Sequence, residues 1–130
     1  MFKLKLKHAE YFIDRVQRDK FVSGFTRLQL LGWDSEEDDM SLPVATASFN
    51  PEPEFHEPLL EVHPDFNPDT HDIVCIKDWS ENSGIEAELL RVGFLSKDNL
   101  LATIPAGFAT ANVYSIPKEP ETQLEFDFDA

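Results

Sequence analysis

His71-Asp72-Ile73-Val74-Cys75-Ile76-Lys77 runs directly into Asp78-Trp79-Ser80-Glu81-Asn82-Ser83-Gly84 and then Ile85-Glu86-Ala87-Glu88-Leu89-Leu90-Arg91-Val92-Gly93, and the reading of this stretch decides the fold. The first part is an unbroken apolar run, as expected of a strand buried on both faces or nearly so. In the last part Ile85, Leu89 and Val92 recur at spacings of three and four. This predicts a helix of roughly ten residues packed on a sheet through one side. Ser83 with Glu86 has the form of a capping box, Glu86 and Glu88 suit the positive start of a helix, and Arg91 suits its end. Gly93 is the expected C′ stop.

Outward from this unit the chain reads mostly as strand. Leu100–Ile104 and Phe108–Ile116, separated by the turn signal Pro105-Ala106-Gly107, form the downstream pair. Upstream, Leu42–Phe49 alternates, and Phe25–Trp33 follows Gly24 as a further strand. Phe2-Lys3-Leu4-Lys5-Leu6-Lys7 alternates strictly, with one face for a core and three lysines on the other, as an edge strand would have. Tyr11–Val22 mixes apolar and charged residues and fits a short helix or a turn equally. The run Asp34-Ser35-Glu36-Glu37-Asp38-Asp39 is expected as a solvated hairpin tip. Residues 50–72 carry Pro51, Pro53, Pro58, Pro64 and Pro68, which interrupt every helix; a long ordered loop pinned by Phe55, Leu59, Leu60, Val62 and Phe66 is expected there. The fold class is α+β and β-rich: a small bent sheet or partly open β-barrel of about six strands with one packed helix. Residues 1–116 form a single acidic domain, and 117–130 an acidic tail expected to be mobile.

Charge is the strongest compositional signal. The net charge of −14 is unevenly spread: residues 1–27 hold seven Lys or Arg against three acids, and residues 28–130 hold four against 22. A body of that sign is repelled by nucleic acid and by anionic membranes, so neither is expected as a direct partner. A basic protein partner is expected instead. No stretch has the length of apolar sequence that a membrane helix needs, and the start lacks the apolar block of a signal peptide, so a cytoplasmic protein is expected. The lone Cys75 lies inside the apolar run, which excludes an internal disulfide and makes a buried, inert thiol the expectation.

No catalytic template fits. There is no glycine-rich phosphate loop, HExxH, CxxC or nucleophile elbow. The reading is therefore of a protein without catalytic apparatus and without a cofactor. His56, His63 and His71, with Glu57, Glu61, Asp65 and Asp72, supply the chemistry for an alternative, a small metal-dependent hydrolase, but spacings of seven and eight residues match no compact ligand pair.

Lys77-Asp78-Trp79-Ser80-Glu81-Asn82-Ser83-Gly84 resembles the K-D-aromatic-S-E-N-x-G signature of an uncharacterised family of short acidic bacterial proteins common on phages, plasmids and conjugative elements. The likeness extends loosely over residues 21–116. It implies a mobile-element setting and no mechanism. The same residues have two physical readings. Asp78, Ser80 and Asn82 can bond backbone groups at a strand-to-helix junction, with Gly84 permitting an unusual backbone angle. Alternatively, Asp78, Trp79, Ser80, Glu81 and Asn82 form a binding patch in which Trp79, Glu81 and Asn82 are exposed together. A second candidate docking element is the tail's Gln123-Leu124-Glu125-Phe126-Asp127-Phe128, which resembles peptides that dock on the bacterial sliding clamp and the acidic tails of single-strand-binding proteins. Phe126 and Phe128 would fill apolar pockets while Gln123 made polar contacts.

Together these features predict a non-enzymatic binding or regulatory protein, an acidic, DNA-mimic-like inhibitor of a nucleic-acid-handling protein. A purely structural subunit, dimerising through its first strand, is the remaining alternative.

Overall fold

The structure is a computed structural model that describes residues 2–33 and 42–118. The acidic run 34–39 and the tail residues Gln123, Phe126 and Phe128 lie outside the described residues. The described chain forms β1 (Phe2–Lys5), β2 (Glu10–Lys20), β3 (Thr26–Trp33), β4 (Leu42–Thr46), α1 (His56–Leu60), β5 (His71–Cys75), α2 (Ile85–Arg91), β6 (Leu100–Ala106) and β7 (Ala109–Pro117). Two antiparallel sheets result, ordered β1-β2-β3-β4 and β5-β7-β6. Beyond β4 the chain joins the second sheet through the Ser48–Ile76 bridge. The predicted class holds: β-rich α+β, with open sheets.

Within sheet β5-β7-β6, strands β5 and β7 are buried from both sides, which is why β5 reads as continuous apolar sequence. Its Val74, Ile76, Tyr114 and Ile116 face a core completed by Phe2, Leu4, Ile13, Leu28 and Leu30 of the first sheet and by Ile85, Leu89 and Val92 of α2. Ile73, Cys75, Ala111 and Val113 point the other way, toward Phe25, Leu59 and Ile104. Alternation of period two thus feeds two cores from one strand. Phe55, Leu60 and Phe66 pack against this second core, so the segment before β5 is pinned as expected, except that Val62 is 63% exposed.

Three expectations are corrected. Residues 10–20 are a strand, neither helix nor turn, with a register shift between Ile13 and Arg15. The prolines at 50–72 do not abolish helix: Pro53 opens a 3-10 turn over Pro53–Phe55, and Pro58 is the third residue of α1. At that position the missing N–H is one of those a helix start leaves unpaired anyway. Finally, the helix after Ser83 starts at Ile85, and its cap is not the Ser83–Glu86 box.

The C-terminal end of α2 is as expected. Gly93 adopts φ +85°, its N–H reaches the Leu90 carbonyl at 3.2 Å, and Phe94 N–H reaches the Leu89 carbonyl at 3.0 Å. This pair of bonds is a Schellman stop, closed by the buried Phe94 and Leu89.

Candidate functional site

The segment Lys77–Gly84 lies between the two edges of the first sheet and fastens both. On the β4 side, Lys77 N–H donates to the Ala47 carbonyl at 2.9 Å. Asn82, 1% exposed, donates through Nδ2 to the Thr46 carbonyl at 2.6 Å. On the β1 side, Lys7 N–H donates to the Ser83 carbonyl at 2.8 Å. The helix that follows completes the fastening. Lys5 N–H donates to Glu88 Oε1 at 2.7 Å, and Arg91 Nη2 donates to the Lys3 carbonyl at 3.0 Å. Partial burial of Glu88 opposes its charge, but the hydrogen bonds from Arg91 and Lys5 N–H outweigh that effect and hold its carboxyl below its ordinary range.

Asp78 starts α2. Its Oδ1 accepts from Gly84 N–H at 3.0 Å and from Glu86 N–H at 3.1 Å, taking over the role read for Ser83. The chain doubles back far enough for this because Ser80 has φ 55° and Gly84 φ 101°. Ser83 Oγ instead donates to the Ser80 carbonyl at 3.0 Å. Glu86, released from the box, turns to the second sheet, where its Oε2 accepts from Tyr114 OH and, at 2.8 Å, from Asn112 Nδ2. Burial and the Glu86 carboxylate together push the Tyr114 hydroxyl pKa up.

Of the five signature residues, Asp78 and Asn82 are thus spent on backbone groups. Trp79 is half-buried with its ring 5.3 Å from that of Phe49, edge to face. Ser80 and Glu81 are exposed, and Glu81 is tied to Lys77 at 2.7 Å, which lowers its pKa. Trp79, Glu81 and Asn82 therefore do not present a joint outer patch, and the junction reading is the one this geometry supports. Beside the segment is a groove of about 560 Å³ with Leu6, Tyr11, Val44 and Phe49 among its lining and Lys77 and Glu81 at its side, a feature the sequence did not signal.

The histidines are used separately. His56 Nε2 lies 2.9 Å from the Pro51 carbonyl, His63 Nε2 lies 3.1 Å from the Leu101 carbonyl, and His71 Nδ1 lies 2.8 Å from Thr70 Oγ1. Among the described residues no three His, Cys, Asp or Glu side chains are grouped to hold a metal ion, so the loop does not supply the ligand set that the hydrolase alternative needs. Cys75 is fully buried, and burial pushes its thiol pKa up to about 12, so the thiolate that a nucleophile requires does not form near neutral pH.

What distinguishes the surface is how its carboxylates are compensated. Glu10 meets Lys3 and Lys5, Asp19 meets Arg27, Asp72 meets Arg18, Lys20 and Lys118, Glu81 meets Lys77, Glu86 meets Lys97, and Glu88 meets Arg91. Glu52, Glu54, Glu57, Glu61, Asp65 and Asp69 are all exposed, and none forms an ion pair with a described residue. No Lys or Arg occurs anywhere between Leu28 and Ile76. Glu54, Glu57 and Glu61 follow helical spacing through the 3-10 turn and α1, which places them on one side, opposite the buried Leu59. No helix among the described residues is long and apolar enough to cross a membrane. Compared with protein-family models, with curated proteins and with solved structures, the chain matches none.

Proposed function

We propose that the chain is a non-enzymatic binding protein that sets the uncompensated carboxylates of residues 52–69 against a cationic groove, as a nucleic-acid-handling protein offers to phosphates. The observation that carries this reading is the contrast just described: six exposed acids without an ion pair in one segment that holds no Lys or Arg, beside others that the chain neutralises itself. Uncompensated like charges held in place cost the monomer some repulsion and are relieved when a basic surface covers them. The partner expected on these grounds is a basic protein of the bacterial cell in which the resemblance would place the chain.

The experiment is capture from a bacterial lysate on immobilised protein, at low salt and at high salt, with and without added duplex DNA. Basic nucleic-acid-binding proteins should be recovered, released by salt because the contact is electrostatic, and displaced by DNA because both ligands occupy one groove. Partners that withstand both salt and DNA would overturn the reading.

A further inference from the structure

The first strand is the expected site of self-association, yet its outward backbone is already occupied: Lys5 N–H by Glu88, Lys7 N–H by the Ser83 carbonyl and the Lys3 carbonyl by Arg91. An open edge lies elsewhere in the same sheet. β1 pairs only with Glu10–Ile13 of β2, and no described strand flanks the rest of β2, Asp14–Lys20, on that side. The direction of its peptide groups follows from its other neighbour. Leu28, opposite Arg18, gives its carbonyl to Ala47 N–H and its N–H to Ser48 Oγ, both away from β2. The Arg18–Leu28 pair is therefore of the non-hydrogen-bonded kind, and the N–H and C=O of Arg18 point out of the sheet edge. With period two, those of Val16 and Lys20 do the same.

We infer that this edge pairs with the same edge of a second copy, antiparallel about a two-fold axis at Gln17. The window Asp14-Arg15-Val16-Gln17-Arg18-Asp19-Lys20 reads as its own complement in that register. Arg15 falls opposite Asp19 of the other copy, Asp14 opposite Lys20, Val16 opposite Arg18, and Gln17 opposite Gln17. Opposite charges directly across a strand pair attract, and like charges there repel. Gln17 is also the midpoint of the exposed edge, which is bounded by the end of β1 at Ile13 and by the turn after Lys20, where Gly24 N–H bonds the Phe21 carbonyl at 2.9 Å. Arg15 forms no ion pair among the described residues. Among the described residues, the buried polar side-chain atoms without a hydrogen-bond partner, Arg18 Nη1, Thr26 Oγ1 and Arg27 Nε, all belong to the β2–β3 hairpin. The pair would join two four-stranded sheets into one of eight, an isologous interface of the kind most soluble dimers use.

The test is solution mass by sedimentation equilibrium on the full chain and on two single reversals, R15D and D19R, with thermal melting as the check on folding. The wild type should show twice the chain mass of 14.8 kDa. Each reversal turns two attractive cross-strand pairs into two repulsive ones and should weaken dimerisation about tenfold or more. Mixed in equal amounts, the two variants should dimerise with each other, because the acidic pair of one then faces the basic pair of the other. A wild type that stays monomeric, a reversal that dimerises as well as wild type, or a mixture that stays monomeric would each overturn the inference.

Discussion

Gly32→Ala is expected to cost roughly 3–5 kcal/mol, a large part of a small domain's whole stability, and to lower the melting temperature by about 10 °C or more. Gly32 sits opposite Ile13 beside the β2 irregularity, where the two backbones approach unusually closely. A Cβ there would stand 2.8 Å from the Phe12 carbonyl carbon and 3.0 Å from Ile13 Cα, and closer still to the Phe12 oxygen. These atoms are main chain and cannot swing aside as a side-chain tip would. The strand pair must separate, and with it the packing of Ile13 and Leu30 in the main core. Gly107→Ala is the control. Its φ of 63° is left-handed, but a Cβ there meets nothing within 4 Å, so only the conformational cost of about 1 kcal/mol applies. Equal melting of the two variants would show that the close approach at Gly32 is not real.

The second large effect is at Asp78. Its Oδ1 serves two N–H groups at the start of α2, Gly84 and Glu86. Asp78→Ala leaves both without an acceptor in a part-buried position, a loss of about 2–3 kcal/mol. Asp78→Asn keeps an acceptor oxygen and should stay within about 1 kcal/mol of wild type by chemical denaturation. Because α2 also holds the β1 edge through Glu88 and Arg91, the alanine variant should expose the Lys5 amide to faster hydrogen exchange before global unfolding. If the asparagine variant is as damaged as the alanine one, the cap account fails. In that case the signature would have a role other than joining strand to helix.

How much of this was readable in the residues depends on whether the signal was local. β5 was, because burial on both faces leaves an apolar run that no other element explains in so short a segment. The Gly93 stop was also readable, since a C′ glycine acts within one turn. β2 was not. Its inward residues are Tyr11 and Ile13 before the irregularity and Val16 after it, so one extra residue shifts the alternation from odd to even positions and makes the Ile13–Val16 spacing look helical. The cap was misassigned for a related reason. A capping box is recognised at a spacing of three, whereas Asp78 reaches six and eight residues along a chain turned back at Ser80 and Gly84.

The candidate surface was half legible. That residues 28–76 lack any Lys or Arg is visible in the sequence. That acids elsewhere are neutralised across long separations, Asp72 by Arg18 for example, is not, because those partners meet only in the fold. Within Asp78–Asn82 the contacts that only the fold reveals are with main-chain groups: Asn82 is held by the Thr46 carbonyl and Asp78 by the start of α2, and Ser80 and Glu81 are the exposed residues of the five.

The most direct test of the claim that binding resides in the uncompensated carboxylates compares two variants of equal thermal stability against the partner captured from lysate. One neutralises the proposed surface as E54Q/E57Q/E61Q/D65N; the other, E81Q, removes the exposed acid of the junction. Affinities are measured by titration calorimetry over a series of salt concentrations. The account predicts that the fourfold variant loses both most of its affinity and most of its salt dependence while E81Q binds as wild type does. Retained affinity in the fourfold variant, with loss in E81Q, would contradict it.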